Sequence, residues 1–314
     1  MKRVSYKIIL LAFALVLLVN NDVQALTISP YMIDVELERG ESFTDTVLLT
    51  NESDKAQIYF PSVQDFVAKG ETGTPHFVGV SSVRSLVDWV KFDQERFEID
   101  SGQTMKASFV VSVPKSTDAG GYFGGLLFSS ADPNVSEGVG VVGATGPLLI
   151  LKIKGDLIEQ GELIGFDIDR GRSSNRHLSL VFETRFKNTG NVHLQPVGVI
   201  KVKNVFGTTV ANIPFNPNAS KVLPDSTREF ETVWHKGMDA GDVSELKKEI
   251  SQFAIGPYSA TLITNYGQTG VAVSDTVHFW IIPWLLIAMS LSFVLVAVVL
   301  VGQYKKLLKK SYAK

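Results

Sequence analysis

The feature that most constrains this chain is an uncharged, apolar run near its C-terminus, residues 279–301. At a rise of about 1.5 Å per residue, a helix of this length crosses the ~30 Å hydrocarbon core of a bilayer. Trp280 and Trp284 stand at its start, where aromatic rings favour the headgroup layer, and five lysines follow it. Because clustered lysines mark the cytoplasmic side, we predict a transmembrane helix at 279–301 and a basic cytoplasmic tail at 302–314.

The N-terminus is consistent with this topology. Three basic residues occur within the first seven positions, and the apolar stretch Ile8–Val19 leads to the tripeptide V-Q-A that ends at Ala25. This pattern is typical of a cleavable secretory signal, so we predict a signal peptide at 1–25. An uncleaved anchor is the alternative. The expected protein is a single-pass plasma-membrane protein with its ectodomain outside the cell and its C-terminus in the cytoplasm.

The segment between these two ends is acidic and contains no cysteine. Without the three basic and one acidic residues before Leu26 and the five lysines after Val301, 22 basic and 31 acidic residues remain. An acidic surface does not attract nucleic acid, which is bound by lysine and arginine, so we expect no nucleic-acid partner. The absence of cysteine excludes thiol catalysis and Cys-zinc sites, and in an exported protein it favours a bacterial or archaeal source.

Short strands separated by polar turns fill this segment. Thr46–Thr50 and Gln57–Phe60 flank one polar turn, and Phe97–Asp100 and Met105–Val113 flank another. Strands at this spacing indicate β-sandwiches. The fold class that we predict is an all-β ectodomain of two tandem immunoglobulin-like β-sandwiches, at 26–155 and 156–278, followed by the C-terminal transmembrane α-helix.

An internal repeat supports two similar domains. The strand that ends at Asn51 resembles the strand that ends at Asn188, and the glycine-flanked Tyr122 resembles Tyr258; the offsets are 137 and 136 residues. Each tyrosine is interpreted either as the corner tyrosine of an immunoglobulin-like domain or as an ordinary core residue.

Two segments have helical spacing, and two others are long loops. Leu86, Trp89 and Val90 predict a short helical turn, and the run from Val243 to Phe253 predicts one helix in the second domain. The predicted loops, Lys69–Val80 and Ser129–Gly146, are the candidate binding positions. Between the second loop and the second domain, Leu148–Leu151 is predicted to be a strand buried on both faces.

Several residues of the first domain resemble those of a known family. The start Leu26–Pro30, the turn Arg39-Gly40-Glu41 and the segment Ala119–Phe128 resemble the first domain of the WxL-interacting proteins of Gram-positive bacteria. That family has a signal peptide, two immunoglobulin-like domains, one C-terminal span and a short basic tail. The resemblance implies that the first domain contacts peptidoglycan and the second contacts WxL-bearing surface proteins.

No catalytic or ligand-binding constellation is found in the sequence. The five histidines are scattered, and no serine lies in a G-x-S-x-G context. We therefore predict a non-enzymatic protein with no catalytic, cofactor-binding or metal-binding residues and no cofactor.

The function that we predict is that of a membrane-anchored surface binding or scaffold protein. Its partner would be a cell-envelope polymer or another exported protein, and the acidic, membrane-distal first domain would make the main contact. The first alternative is a chaperone-like module for surface-protein assembly, in which a strand edge pairs with a partner strand and Thr145–Lys154 supplies or borders that edge. The second alternative is an accessory module of cell-wall carbohydrate metabolism.

Overall fold

The computed structural model describes residues 26–79, 84–132, 143–169, 179–235 and 255–311. The described chain is mostly β-sheet, with one apolar α-helix at its C-terminal end. The predicted signal segment 1–25, the predicted helix at 243–253 and the middle of the predicted loop 129–146 lie outside the described residues.

Contacts divide the chain into two compact units. The first contains residues up to Val67 and Pro75–Leu157, and the second contains Ala68–Thr74 together with Ile158 onward. The strands from the first to the eleventh are β1 Leu26–Ser29, β2 Met32–Leu37, β3 Ser42–Asn51, β4 Gln57–Ala68, β5 Pro75–Gly79, β6 Val90–Phe92, β7 Phe97–Ile99, β8 Thr104–Ser112, β9 Gly120–Ser129, β10 Ala144–Thr145 and β11 Leu148–Ile153.

The first unit consists of two sheets that share one core. One sheet has the strand order β1-β3-β8-β6, and the other has the order β2-β11-β9-β4-β5, with β10 on β9 and β7 on β4. Alternate residues of both sheets are buried together, as the period of a half-buried strand requires. The fully buried residues of this core with the largest side chains are Phe97, Phe109, Phe128, Leu49, Ile99, Leu126, Leu149 and Leu151 of the strands, together with Leu86, which precedes β6.

The segment between β4 and β6 partly matches its prediction. The predicted helical turn is the 3₁₀ turn Val87–Trp89, whose tryptophan ring packs 4.6 Å from the Tyr122 ring at the edge of the core. The predicted loop Lys69–Val80 is wrong in its second half, because Pro75–Gly79 forms β5. The ring of Phe77 in β5 packs against the ring of Phe66 in β4.

Tyr122 makes the hydrogen bond that the corner-tyrosine interpretation predicts. Its hydroxyl donates a hydrogen bond to the main-chain oxygen of Asp118, four residues upstream, at 3.1 Å. Burial raises the pKa of the Tyr122 phenol. Tyr258, its counterpart in the repeat, is buried in the core of the second unit, where its ring stacks on Phe279 at 5.9 Å.

The second unit also has two sheets around one core. Its strands are β12 Gly161–Ile168, β13 Ser179–Asn188, β14 Val197–Asn204, β15 Thr209–Phe215, β16 Thr227–His235, β17 Gly256–Tyr266 and β18 Val271–Ile281. The sheets have the orders β12-β13-β16 and β15-β14-β17-β18. Phe182, Phe186 and Phe215 are fully buried between them.

The helix, α1, spans Trp284–Ser311, and the prediction for its start needs correction. Phe279, the first residue of the predicted span 279–301, lies in β18 and packs against the core rings of Phe182 and Trp234. Ile281 is buried in the same core. Apolar residues that serve this sheet are continuous in sequence with those of α1, so hydropathy alone does not separate them. By length and composition, Trp284–Lys306 is sufficient to cross a membrane.

Candidate strand-pairing edge

The N-terminal segment of the first unit is divided between its two sheets. β1 pairs antiparallel with β3, in a register that places Leu26 opposite Asn51. After the cis Ser29–Pro30 peptide, β2 joins the other sheet and pairs in parallel with β11. The segment therefore contributes one strand to each of the two sheets that enclose the core. Among the described residues, β2 is the end strand of its sheet.

Two hydrogen bonds define which side of β2 faces its neighbour. The N–H of Leu148 donates to the oxygen of Tyr31 at 3.1 Å, and the N–H of Lys154 donates to the oxygen of Leu37 at 3.0 Å. In a strand, the main-chain groups of successive residues point to opposite sides, so the odd-numbered residues from 31 to 37 face β11. The main-chain groups of Met32, Asp34 and Glu36 are consequently directed away from β11, toward the end of the sheet.

The side chains of β2 alternate between the core and the surface. Ile33 and Leu37 are buried in the core of the first unit, and Val35 packs against it. On the opposite face, Glu36 forms an ion pair with Lys152 of β11 at 3.2 Å. Apolar side chains thus hold the strand on the core. The outward N–H and C=O groups of β2 remain in an extended conformation, which is the geometry that pairs with another strand.

The end strand β2 carries acidic side chains on its solvent-facing side. Glu36 follows Asp34 on the outward face, and Glu38 just beyond the strand pairs with Lys154 at 3.3 Å. Charged side chains on an end strand suppress indiscriminate strand pairing. Charged side chains of both signs therefore lie along this edge, Glu36 with Lys152 and Glu38 with Lys154.

The predicted segment Thr145–Lys154 borders this edge but does not supply it. β11 lies between β2 and β9 and is paired on both sides, so its main-chain groups are used within the sheet. Leu149, Ile150 and Leu151 are all buried, which confirms the predicted strand with two buried faces. The alternative in which this segment itself is the edge is wrong, because β2 covers it.

A glycine interrupts the strand before β11. Ala144 and Thr145 pair with β9 as β10, and the Leu126 N–H then donates to the oxygen of Pro147 at 3.0 Å. A Cβ atom added to Gly146 would lie 1.7 Å from the Leu126 oxygen. The main chains approach each other here at a distance that only glycine permits.

The sequence contained a pattern for β2 that the strand prediction did not use. From Ile33 to Leu37 the sequence alternates apolar and acidic residues, which is typical of a half-buried strand. That pattern identifies a strand but does not say which strands flank it. The parallel pairing with β11 joins residues more than a hundred positions apart, and only the tertiary structure shows it.

Among the described residues there is no group of three or more His, Cys, Asp or Glu side chains that could hold a metal ion. The predicted absence of catalytic and cofactor-binding residues stays a prediction.

Comparisons with known proteins give likenesses of structure only. No protein-family model and no curated protein matches the chain. Among solved structures, the class 5 fimbriae chaperone CfaA has 12% identity and a TM-score of 0.37, covering 82% of this chain and 100% of that one. The Escherichia coli chaperone DraB has 13% identity and a TM-score of 0.33, covering 83% and 98%.

A third likeness is to the CsuC–CsuE chaperone–tip adhesion subunit pre-assembly complex of Acinetobacter baumannii Csu pili, with 13% identity and a TM-score of 0.35. It covers 81% of this chain and 97% of the matched chain.

Proposed function

We propose that this chain is a membrane-anchored protein that binds an extended segment of an exported protein at the outer side of β2. The observation that carries the proposal is the position of β2: among the described strands it is an end strand paired with β11 alone, with the main-chain groups of alternate residues directed outward. Strand addition to such an edge gains main-chain hydrogen bonds along its whole length. This is the chaperone-like alternative of the sequence analysis, with the edge moved from β11 to β2.

Two tandem immunoglobulin-like β-sandwiches are part of the proposal. Each unit has two sheets around one core, and the Tyr122 corner hydrogen bond is a feature of immunoglobulin-like domains. A rigid two-sheet frame of this kind supports strand addition, since the edge is already in an extended conformation and little ordering is needed on binding.

Anchorage in the plasma membrane by α1 is also proposed. Within α1, residues 284–306 are apolar and are not covered by the rest of the described chain. Lys305 and Lys306 lie at the end of this segment. These features support an orientation with the two units outside the cell and the lysine tail inside. Protease added to sealed cells should remove the two units and leave the tail intact, and digestion of a tail epitope would contradict this orientation.

Cross-linking tests the edge directly. Since the chain has no cysteine, Met32→Cys carries a photo-cross-linker at one defined site of the full-length protein in its own membrane. Light should join it to an exported protein, whereas the same label at Thr269→Cys, in the turn after β17, should not. Cross-linking of both positions to the same proteins would show that contact is unspecific.

A matched pair of variants then separates main-chain pairing from side-chain effects. Glu36→Pro removes one outward N–H, which an end strand tolerates, and should abolish cross-linking at position 32. Glu36→Ala removes the same carboxylate and the Lys152 ion pair but keeps the N–H. This variant should therefore retain cross-linking at position 32. Equal cross-linking in both variants would contradict strand addition.

Two further readouts separate this proposal from the other functions. A distant relationship to the WxL-interacting family stays a proposal, and it implies that the first domain retains peptidoglycan. Retention on purified wall polymer that Glu36→Pro leaves unchanged would favour that polymer-binding function. Release of soluble wall fragments by the purified protein would favour the carbohydrate-metabolism alternative.

A further inference from the structure

The turn between β14 and β15 exposes two apolar residues. Val205 and Phe206 occupy its corners, and the Phe206 side chain is 87% exposed. Turn corners are normally occupied by Gly, Pro, Asn, Asp or Ser, so an adjacent valine and phenylalanine at this position are unusual. Nothing within the described part of the chain covers them.

The turn is held firmly. The N–H of Gly207 donates to the Asn204 oxygen at 2.9 Å, and the N–H of Asn204 donates to the Thr208 oxygen at 3.0 Å. The side-chain oxygen of Asn204 accepts from the N–H groups of Phe206 and Thr208, both at 3.0 Å. Gly207 takes the positive φ of 75° that closes the turn. The exposed phenylalanine is therefore a fixed projection.

Strand register places this projection at the end of the sheet from which α1 departs. Asn204, the last residue of β14, is paired with Tyr258, and Tyr258 is paired with Phe279 of β18. Neighbouring strands lie about 4.8 Å apart, so Asn204 is about 10 Å across the sheet from Phe279. The turn extends beyond that row by one or two residues, which brings Phe206 level with the last residues of β18, just before Trp284 begins the helix.

Other exposed apolar residues occupy the same end of the sheet. Trp280, at the end of β18, is 62% exposed, and Trp284 begins α1. Ile255 directly precedes Gly256, which pairs with Ile281. Lys203 is exposed one residue before Asn204. Aromatic rings with a nearby cation are the composition that favours the headgroup layer of a bilayer.

We propose that the Val205–Phe206 turn inserts into the headgroup and upper acyl layer of the same membrane that α1 enters. This inference rests on the proposed membrane anchorage. The partner of the turn is lipid, because the strand register places the turn at the same level as the residues where the chain passes from β18 to α1. With α1 and the turn as two attachment points about 10 Å apart on the sheet, the second unit is restrained from tilting freely about the β18–α1 junction.

Lipid-depth quenching in the full-length protein tests the proposal. Phe206→Cys, Thr269→Cys and Leu295→Cys each give a single labelling site for an environment-sensitive fluorophore. Thr269 lies in the turn at the opposite end of β17 and β18, and Leu295 lies in α1. Each labelled protein is placed in vesicles of phosphatidylcholine with a minor share of phosphatidylglycerol, with and without nitroxide-labelled lipids.

Headgroup and shallow-acyl nitroxides should quench the label at 206 at least about twice as strongly as the label at 269, since interfacial residues sit about 5–10 Å into that boundary. Val205→Cys should give the same result, and an unchanged circular dichroism spectrum confirms that the turn variants fold. Deep-acyl nitroxides should quench the label at 295.

The failures are distinguishable. Quenching at 295 with none at 205 or 206 would overturn the proposal for the turn and leave the anchorage standing. Absence of quenching at 295 as well would overturn both. Equal quenching at 206 and 269 would show that the whole unit contacts lipid and that the turn has no particular role.

Discussion

Asn51 and Asn188, 137 residues apart, make the same hydrogen bonds at the ends of β3 and β13. The amide nitrogen of Asn51 donates to the oxygens of Lys55 and Ile99 at 2.8 and 2.9 Å, and that of Asn188 donates to the oxygens of Val192 and Val222 at 2.8 and 2.9 Å. Each side-chain oxygen accepts the main-chain N–H two residues on. Both side chains are fully buried. The repeated asparagine therefore has the same physical role in both units.

Replacing either asparagine by alanine should destabilise its own unit by about 2–4 kcal/mol, because two main-chain oxygens and one N–H lose their partners in a buried site. Urea unfolding of residues 26–282 measures the loss, and amide hydrogen exchange assigns it to a unit. Asn51→Ala should accelerate exchange in the strands of the first unit only, and Asn188→Ala in those of the second. Thr50→Ala, at a partly exposed site beside Asn51, is the control and should have little effect.

The end of β18 should be required for the second unit to be stable. A fragment 158–282 retains Phe279 and Ile281 in the core, and a fragment 158–278 removes them. Loss of a large buried apolar side chain costs about 2–5 kcal/mol, so the shorter fragment should melt at a much lower temperature or not fold. Trp280→Ala in the longer fragment is the control, since this side chain is exposed. Equal melting temperatures of the two fragments would contradict the assignment of Phe279 and Ile281 to the core.

Two buried tyrosines of the first unit should respond oppositely to removal of the hydroxyl group. Tyr122→Phe loses the hydrogen bond to Asp118 and should cost about 1 kcal/mol at neutral pH. The Tyr59 hydroxyl is buried with no hydrogen-bond partner among the described residues, so Tyr59→Phe should be neutral or stabilising by up to about 1 kcal/mol. Urea midpoints at pH 7 compare the two, and a larger loss for Tyr59→Phe would contradict the hydrogen-bond assignment.

Alkaline pH should weaken the first unit through the same residues. Burial raises the pKa of both Tyr59 and Tyr122, so the folded state holds these protons more tightly than the unfolded chain does. Their contribution to stability is complete below the unfolded pKa of about 10 and is lost as the pH rises through and above that value. Unfolding free energies measured from pH 8 to 11 should decline above about pH 10. The decline should be shallower in either tyrosine-to-phenylalanine variant.

Gly146 should not tolerate a side chain. In Gly146→Ala the new Cβ meets the Leu126 oxygen, so the β10–β11 connection must shift and the first unit should lose several kcal/mol. Gly143, three residues earlier, has no atom near its Cβ position, and Gly143→Ala should cost less than about 0.5 kcal/mol. A difference in urea midpoint between these two variants measures the effect, and equal midpoints would show that the main chains can separate at little cost.

Several properties of the fold were predictable from the sequence because they depend on local patterns. Alternation of apolar residues along Thr104–Ser112 identified a strand, and the repeat around Asn51 and Asn188 indicated two units with a shared local design. The apolar run before the lysine tail indicated the C-terminal helix. Each of these depends on residues that are close in sequence, or on one motif that occurs twice.

Only the tertiary structure decided where apolar residues are buried and which of the described strands ends the sheet. Phe279 and Ile281 are as hydrophobic as the helix that follows, and burial in a protein core or in lipid satisfies them equally, so composition cannot place the boundary. The pairing of β2 with β11 joins distant segments, and it makes Met32–Leu37 the end strand of the described sheet, while the predicted Thr145–Lys154 borders that edge without supplying it. In the second unit, the registers of β14 with β17 and of β17 with β18 bring Phe206 to the end of the sheet where the helix begins, a position that depends on two strand pairings and on no local pattern.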